Sequence, residues 1–208
     1  MTELEFNPSS LPTSETLVYK PSAWGLDGEL KFQLKKEEKK TEILSFINLG
    51  FKLLIKTAIS VEAVSSWKLE AGSWRLLHSI HQIRPKNLEK QIAGDSKHFD
   101  PISAAYCLRT NPILKIGDQR TALVLRSSGK THLLIKAVAE KQQEVPVFGP
   151  GLRRLFQIKL FPQSEVSKVN FEKDVQVWID SDTNIVVEAQ VKITPIGSVT
   201  VRLVKLTN

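Results

Sequence analysis

Three strand-like stretches separated by short turns occupy residues 173–206, and they constrain the fold more than any other feature of the chain. They read KDVQVWID, IVVEAQVKI and SVTVRLVKL, with turns near SDTN and TPIG. In the middle stretch, polar residues alternate with an apolar set made up of Val187, Ala189, Val191 and Ile193. A period of two is typical of a half-buried strand, and short turns make neighbouring strands antiparallel. This region therefore predicts an antiparallel meander.

The same alternation recurs through most of the chain, which predicts roughly 10 to 12 strands. One segment differs, because Asp100-Pro101 supplies a helix N-cap and a proline at the first helical position, and Asn111-Pro112 ends the helical spacing. We therefore predict an all-β, mainly antiparallel fold with one short helix. Residues 1–14, which are polar and rich in Pro and Ser, are predicted to be a flexible tail, and residues 15–208 a single domain.

The chain has a formal net charge of +7 and a pI near 9.5. Such a charge suits an anionic partner, but we attribute it instead to lysines on the polar faces and edges of many strands. The basic residues are spread along the whole chain, and no basic motif is interleaved with aromatic residues. We therefore expect no nucleic-acid partner.

The single cysteine, Cys107, excludes an intramolecular disulfide, and its apolar surroundings predict a buried, inert thiol. No apolar run approaches the ~20 residues of a membrane helix, so no transmembrane segment is predicted. The first residues contain no apolar core of an export signal, which would indicate a cytoplasmic protein if the chain is full length.

Candidate catalytic and metal-binding residues are few. His78 and His81 are three residues apart in a predicted strand, where they would point to opposite faces. Asp180, Asp182 and Asn184 resemble the start of a calcium loop but lack its glycine and terminal glutamate, and they are better interpreted as a turn. No Gly-x-Ser-x-Gly motif or coherent Ser/His/Asp set is present. We therefore predict a protein that is not an enzyme and that needs no metal or cofactor.

Several segments resemble a bacterial envelope family, the domain of unknown function numbered 3108. Tyr19 and the following AWGLDGEL, with Gly25 and Gly28, are similar to an early Gly-x-x-Gly strand of that family. Residues 100–119, DPISAAYCLRTNPILKIGDQ, are similar to its helix with Asp-x-x-Ser-Ala, a tyrosine and an arginine. Residues 175–203 are similar to its closing strands, with a tryptophan, two aspartates around a serine, and Gly-Ser before the last strand.

This resemblance implies a single strongly curved sheet or open half-barrel, like those of lipoprotein carriers, with the helix near its mouth. It also implies a place in the periplasm or cell envelope of a Gram-negative bacterium. The family supplies no catalytic residues that could be carried over to this chain.

A curved sheet with one helix does not close its own interior, so the concave face is a natural site for a lipid or other amphiphile. We expect its wall to include Leu30, Phe32, Leu53, Ile55 and some of Val187, Ala189, Val191 and Ile193. The loop that carries Phe148, Arg153 and Arg154 would stand with the helix at the rim, unless it is simply a rigid hairpin with two exposed arginines. The alternative function is a scaffold with a filled core that binds an envelope protein or an anionic glycan.

Overall fold

The protein is described here by a computed structural model that covers residues 2–23, 26–51, 57–71, 73–84, 88–93, 99–111, 115–126, 129–162, 175–193 and 197–208. Within these ranges, thirteen strands form one sheet, accompanied by one α-helix and a short 3-10 helix at Pro8–Ser10. The prediction of an all-β fold with one short helix is confirmed.

The strands follow the alternating stretches of the sequence. The first seven are β1 (Thr2–Glu3), β2 (Ser14–Ser22), β3 (Leu26–Lys36), β4 (Lys40–Phe51), β5 (Thr57–Glu70), β6 (Ser73–Arg84) and β7 (Leu88–Ala93). After the helix α1 (Pro101–Thr110) come β8 (Gln119–Arg126), β9 (Gly129–Val145), β10 (Gly149–Pro162), β11 (Val175–Asp180), β12 (Val186–Ile193) and β13 (Gly197–Thr207).

Two antiparallel meanders make up the sheet. Strands β2 to β7 pair in chain order, and so do β8 to β13. The meanders are joined where β13 pairs antiparallel with β2, for example at Leu203 opposite Tyr19. The short β1 adds to the free side of β8 in parallel. Because β1 and β7 stand at the two ends of the strand order, the described sheet is an open half-barrel.

The predicted meander of residues 173–206 is present as β11, β12 and β13, all antiparallel. Its alternation is interrupted in β12, and the pairing of β13 with β2 shifts register again between Leu203 and Lys205. Trp178 pairs with Glu188, but the next residue, Ile179, pairs with Val186, so that Val187 is an extra residue in β12. A bulge of this kind shifts the side-chain parity of a strand. Val187 therefore does not continue the face formed by Ala189 and Val191.

Helix α1 begins where the sequence predicts. The Asp100 carboxylate accepts a hydrogen bond from the backbone N–H of Ser103 at 3.2 Å, which caps the first turn. The Ser103 hydroxyl in turn accepts a 2.7 Å hydrogen bond from the indole N–H of Trp67 on β5. The helix packs against β4 and β8, which belong to different meanders. A helix that contacts both must lie inside the curve of the sheet, so α1 lies over the concave face.

The N-terminal segment differs from the flexible tail predicted for residues 1–14. Leu4, Phe6 and Leu11 are all buried in the core. The Phe6 ring lies 4.3 Å from the Trp67 ring, measured between centroids, and the Phe99 ring packs on the same indole at 5.6 Å. The prediction of a flexible tail relied on the polar, Pro-rich composition and overlooked these three apolar residues. Their burial holds the segment against β5 and α1.

Gly28 lies in β3, in the segment that is similar to the Gly-x-x-Gly strand of the envelope family. The pairing of β3 with β4 runs through Gly28 without a register shift. Its φ is +151°, and a Cβ there would stand 2.0 Å from the backbone oxygen of Asn48. Only glycine fits this close approach of two strands. The neighbouring Gly25 lies outside the described residues.

Candidate ligand-binding cavity

An apolar cavity of about 440 Å³ lies between α1 and the concave face of the sheet. Its walls come from both meanders and from the helix. The lining side chains are Leu17, Tyr19, Leu30, Phe32, Ala104, Ala105, Tyr106, Leu108, Arg109, Val124, Leu133, Ile158, Leu160, Val175, Val177, Val186, Ala189, Val191 and Val201. Of these described residues, only Arg109 and the two tyrosines carry polar side-chain atoms.

The cavity is closed at one side and open at another. Leu160, near the end of β10, is 43% exposed although it lines the cavity, so the cavity meets solvent beside it. Ala105 on α1 also lines the cavity and is exposed, whereas Leu17, Tyr106 and Val124 are buried. The apolar surface of the concave face is therefore only partly covered by the protein itself.

The structure brings together part of the predicted wall. Leu30, Phe32, Ala189 and Val191 all line the cavity. Val187 does not, because the bulge in β12 gives its place to Val186. Leu53 and Ile55 lie outside the described residues, as does the side chain of Ile193.

The loop that carries Phe148, Arg153 and Arg154 does not stand at the cavity, so its assignment to the rim requires correction. Arg153 is buried and forms an ion pair with Asp180, which lies opposite it on β11, at 2.5 Å. Its guanidinium also donates to the carbonyl of Gly149. Arg154 pairs with Glu140 on β9 at 2.6 Å.

The expectation of two exposed arginines in a rigid hairpin is also wrong for Arg153. The Phe148 ring packs against the core, 6.0 Å from the Arg153 guanidinium. These contacts hold the β9–β10 hairpin against β11, so the charges of the loop are used within the fold rather than presented to a ligand.

A polar cluster that the sequence did not reveal stands in the wall of the cavity. Both terminal nitrogens of Arg109, at the end of α1, donate to the carboxylate of Glu15 on β2. The side chains of this pair are 7% and 1% exposed respectively. Tyr19 donates its hydroxyl hydrogen to the Val186 carbonyl at 2.9 Å. Tyr106 lies beside them, with the Arg109 guanidinium 5.4 Å from its ring.

Both phenols are held in their neutral form. Burial raises the pKa of Tyr19 well above the ordinary value, which Arg109 opposes and Glu15 reinforces. Burial also raises the pKa of Tyr106, again reinforced by Glu15 and opposed by Arg109. The two hydroxyls therefore act as hydrogen-bond donors over the whole neutral range.

One signal in the sequence pointed to this cluster. Glu15 has the same strand parity as Leu17 and Tyr19, which places a carboxylate on the apolar face of β2. A charge on a buried face needs a partner of opposite sign. The identity of that partner is a tertiary fact, since Arg109 is 94 residues away in the chain.

Other predicted features stand apart from the cavity. Cys107 is fully buried on α1, and burial raises the pKa of its thiol well above the ordinary value, as expected of an inert cysteine. Asp180 accepts hydrogen bonds from the backbone and hydroxyl of Thr183, which confirms the predicted turn. In the described part of the chain, no cluster of three or more His, Cys, Asp or Glu could hold a metal ion. Nor is any helix there long and apolar enough to cross a bilayer.

A scan of the chain against models of protein families finds no match. A search of curated proteins finds no significant match either. The resemblance to the envelope family therefore stays a prediction that rests on the motifs quoted above.

Proposed function

We propose that this protein binds the hydrocarbon part of a lipid or another amphiphile in the cavity beneath α1, without catalysing a reaction. The observation that carries the proposal is the cavity itself, which is apolar, open on one side and about 440 Å³ in volume. Small-molecule sites in proteins are usually concave, mostly apolar and roughly 300–1,000 Å³. A scaffold with a filled core has no reason to keep such a space.

The free-energy cost of an empty apolar cavity also supports a bound ligand. A closed apolar void costs about 24 cal/mol per Å³, so 440 Å³ corresponds to an upper limit of about 10 kcal/mol. This is comparable with the whole stability of a domain. The open mouth reduces that cost, but water in contact with these walls is still unfavourable. A bound chain would replace that water at a gain of about 0.8 kcal/mol per buried CH₂ group.

The chemistry of the walls supports binding rather than catalysis. The described lining residues include no serine, cysteine, histidine or aspartate. Arg109 is engaged by Glu15, and Tyr19 by a backbone carbonyl. These groups suit orienting a ligand better than transferring a proton or attacking a bond.

The same proposal places the protein in the bacterial cell envelope, and here the support is the resemblance of residues 100–119 and 175–203 to the envelope family. Fractionation of cells that produce the protein from its own gene tests this part. Recovery in the periplasmic or membrane fraction supports it, and recovery with cytoplasmic markers contradicts it.

The binding proposal is tested by native mass spectrometry of protein purified without detergent, followed by lipid extraction. We expect a co-purifying lipid, or uptake of an added one, at one molecule per chain. A wild-type protein that neither carries nor takes up an apolar ligand would overturn the proposal and favour the scaffold function.

Three aspartate variants locate the ligand. Phe32→Asp places a charge in the cavity wall, where Phe32 packs edge-on against Tyr19 at 5.7 Å between ring centroids. It should abolish binding at a cost of about 2 kcal/mol in stability, because Phe32 is only half-buried. Val204→Asp, at a side chain 39% exposed and outside the cavity lining, is the matched control and should keep the ligand. Ile43→Asp, in the closed core, should unfold the protein.

A further inference from the structure

The polar side chains in the cavity wall are all turned to partners or buried within the protein. Tyr19 donates its hydroxyl hydrogen to the carbonyl of Val186 at 2.9 Å. Both terminal nitrogens of Arg109 are bound by the carboxylate of Glu15, and the side chains of this pair are almost fully buried. The hydroxyl of Tyr106 is buried beside the same guanidinium, so a ligand in the cavity does not reach it. The described wall therefore presents an apolar surface to a ligand.

A polar head group placed inside this cavity would lose its water without gaining a partner. That loss is very unfavourable for an ionised carboxylate or ammonium, and it is unfavourable for an unpaired hydroxyl or amide as well. The cavity meets solvent at a mouth beside Leu160 on β10 and Ala105 on α1, which line it and are exposed. A ligand is therefore oriented with its hydrocarbon chain inward and its head group in water at this mouth.

The volume of the cavity limits the length of the chain that it can hold. An apolar cavity of about 150 Å³ binds one benzene ring, and the space here, about 440 Å³, is close to three times as large. A methylene group carries two hydrogens and takes more space than an aromatic CH group. Three ring volumes therefore correspond to roughly twelve to fourteen carbons of an alkyl chain, and two chains of that length would not fit.

We propose that the cavity takes the single hydrocarbon chain of an amphiphile, up to about fourteen carbons long, and leaves the head group unrecognised at the mouth. This inference rests on the proposed lipid-binding function and adds the class of the ligand and its orientation. The chain is selected by its length, because the apolar wall is what contacts it. The charge of the head group is not selected, because the one charged side chain among the described lining residues, Arg109, is already paired with Glu15.

A series of straight-chain carboxylates from eight to eighteen carbons tests the length limit. Each displaces an apolar fluorescent probe from the full-length protein at neutral pH, below the concentration at which it forms micelles. We expect the affinity to rise about fourfold for each added CH₂ group and to level off near fourteen carbons, because further CH₂ groups remain in water. A rise that continues undiminished to eighteen carbons, or one that already stops at eight, would overturn the limit.

Laurate, dodecanol and dodecyltrimethylammonium carry the same chain with an anionic, a neutral and a cationic head group. We expect their affinities to lie within about fivefold of one another, since an exposed charge pair contributes at most about 1 kcal/mol. A larger difference would show that a group of the protein recognises the head group, which contradicts the inference.

A lysine introduced at the mouth tests where the head group lies. Leu160 and Val204 are both on strands and are 43% and 39% exposed, but Val204 lies outside the cavity lining. Leu160→Lys should raise the affinity for laurate relative to dodecyltrimethylammonium by about two- to tenfold, and Val204→Lys should leave this ratio unchanged. If Leu160→Lys does not fold, Ala105→Lys places the same charge at the mouth from α1. An unchanged ratio in the folded mouth variant would overturn the orientation.

The results separate this inference from the function on which it rests. If none of the amphiphiles displaces the fluorescent probe, the proposed function itself fails, and this inference fails with it. If they bind but show no length limit, a marked preference for one head group or no response to the lysine at the mouth, the cavity stays a ligand site and this inference alone fails.

Discussion

A larger side chain introduced into the cavity wall distinguishes an open ligand-binding site from a core that is already packed. Ala189 on β12 lines the cavity and is half-buried. In Ala189→Phe an aromatic ring projects into the space that a ligand would use. Phenylalanine is a good strand former, so the backbone of β12 accommodates the change. The matched variant is Ala137→Phe on β9, where the alanine is fully buried and does not line the cavity.

The size of each effect follows from the structure. An apolar cavity of about 150 Å³ accommodates one benzene ring, so the new side chain takes roughly a third of the 440 Å³ space. A dodecyl chain that loses a third of its buried CH₂ groups loses about 3 kcal/mol, or roughly a hundredfold in affinity. Burial of the ring gains about 1.5–3 kcal/mol before the loss of rotamer freedom. The stability of Ala189→Phe should therefore stay within about 1 kcal/mol of the wild type, whereas overpacking at Ala137 costs about 1–3 kcal/mol.

Urea unfolding gives the two stabilities, and displacement of an apolar fluorescent probe by methyl laurate gives the affinities. We expect Ala189→Phe to remain stable and lose binding, and Ala137→Phe to lose stability while its folded fraction binds normally. The reasoning is refuted if Ala189→Phe is destabilised as much as Ala137→Phe, since the cavity would then be filled already. Normal binding by Ala189→Phe would also refute it.

Three further predictions concern other parts of the fold. Arg153→Leu leaves a buried carboxylate without its partner, so it should cost about 3–5 kcal/mol in urea unfolding; a selective loss of ligand affinity in the remaining folded protein would instead return Arg153 to the binding site. Gly28→Ala should cost more than about 2 kcal/mol because its Cβ would collide with a backbone oxygen. Gly50→Ala on the paired strand, where a Cβ would meet its nearest neighbour at 3.8 Å, should change stability by less than about 1 kcal/mol, and equal costs for the two glycine variants would contradict the close approach. Because burial raises the pKa of Tyr106 in the folded state, its contribution to stability is complete below the unfolded phenol pKa of about 10 and is lost as the pH rises above it. Above about pH 10, the free energy of unfolding of Tyr106→Phe should therefore fall less steeply than that of the wild type, by up to about 1.4 kcal/mol per pH unit. Urea unfolding repeated along a pH series measures this difference. Parallel curves for the two proteins would show that the phenol is not shielded from solvent.

The strands and the helix could be predicted because their signals are local. Alternation placed Phe32 and Val191 on the inner face of the sheet, and Asp100-Pro101 placed the start of α1. Two predictions from local sequence were wrong, each for a physical reason. Because β12 contains an extra residue, Val187 does not line the cavity. The N-terminal segment is held in place because Phe6 packs on the indole of Trp67, which is distant in the chain.

The polar cluster in the cavity wall could not be predicted, since it depends on how α1 lies over the sheet. Parity shows that Glu15 is on an apolar face, but only the packed helix brings Arg109 and Tyr106 to it. Arg153 shows the opposite case. Two adjacent arginines beside a glycine-rich turn suggested a place at the rim of the ligand site, whereas β11 supplies an internal carboxylate for Arg153.

The seam between β13 and β2 has a consequence for how the protein folds. Within each meander, every strand pairs with its neighbour in the chain, so each is assembled from local contacts. The seam pairs residues as distant as Thr207 and Thr16, and closing so long a loop is slow. The cavity takes Tyr19 and Phe32 from one meander and Val177 and Ala189 from the other. It therefore cannot exist until the seam has formed, and the two half-assembled meanders that precede it expose the apolar surfaces that later face each other across the cavity.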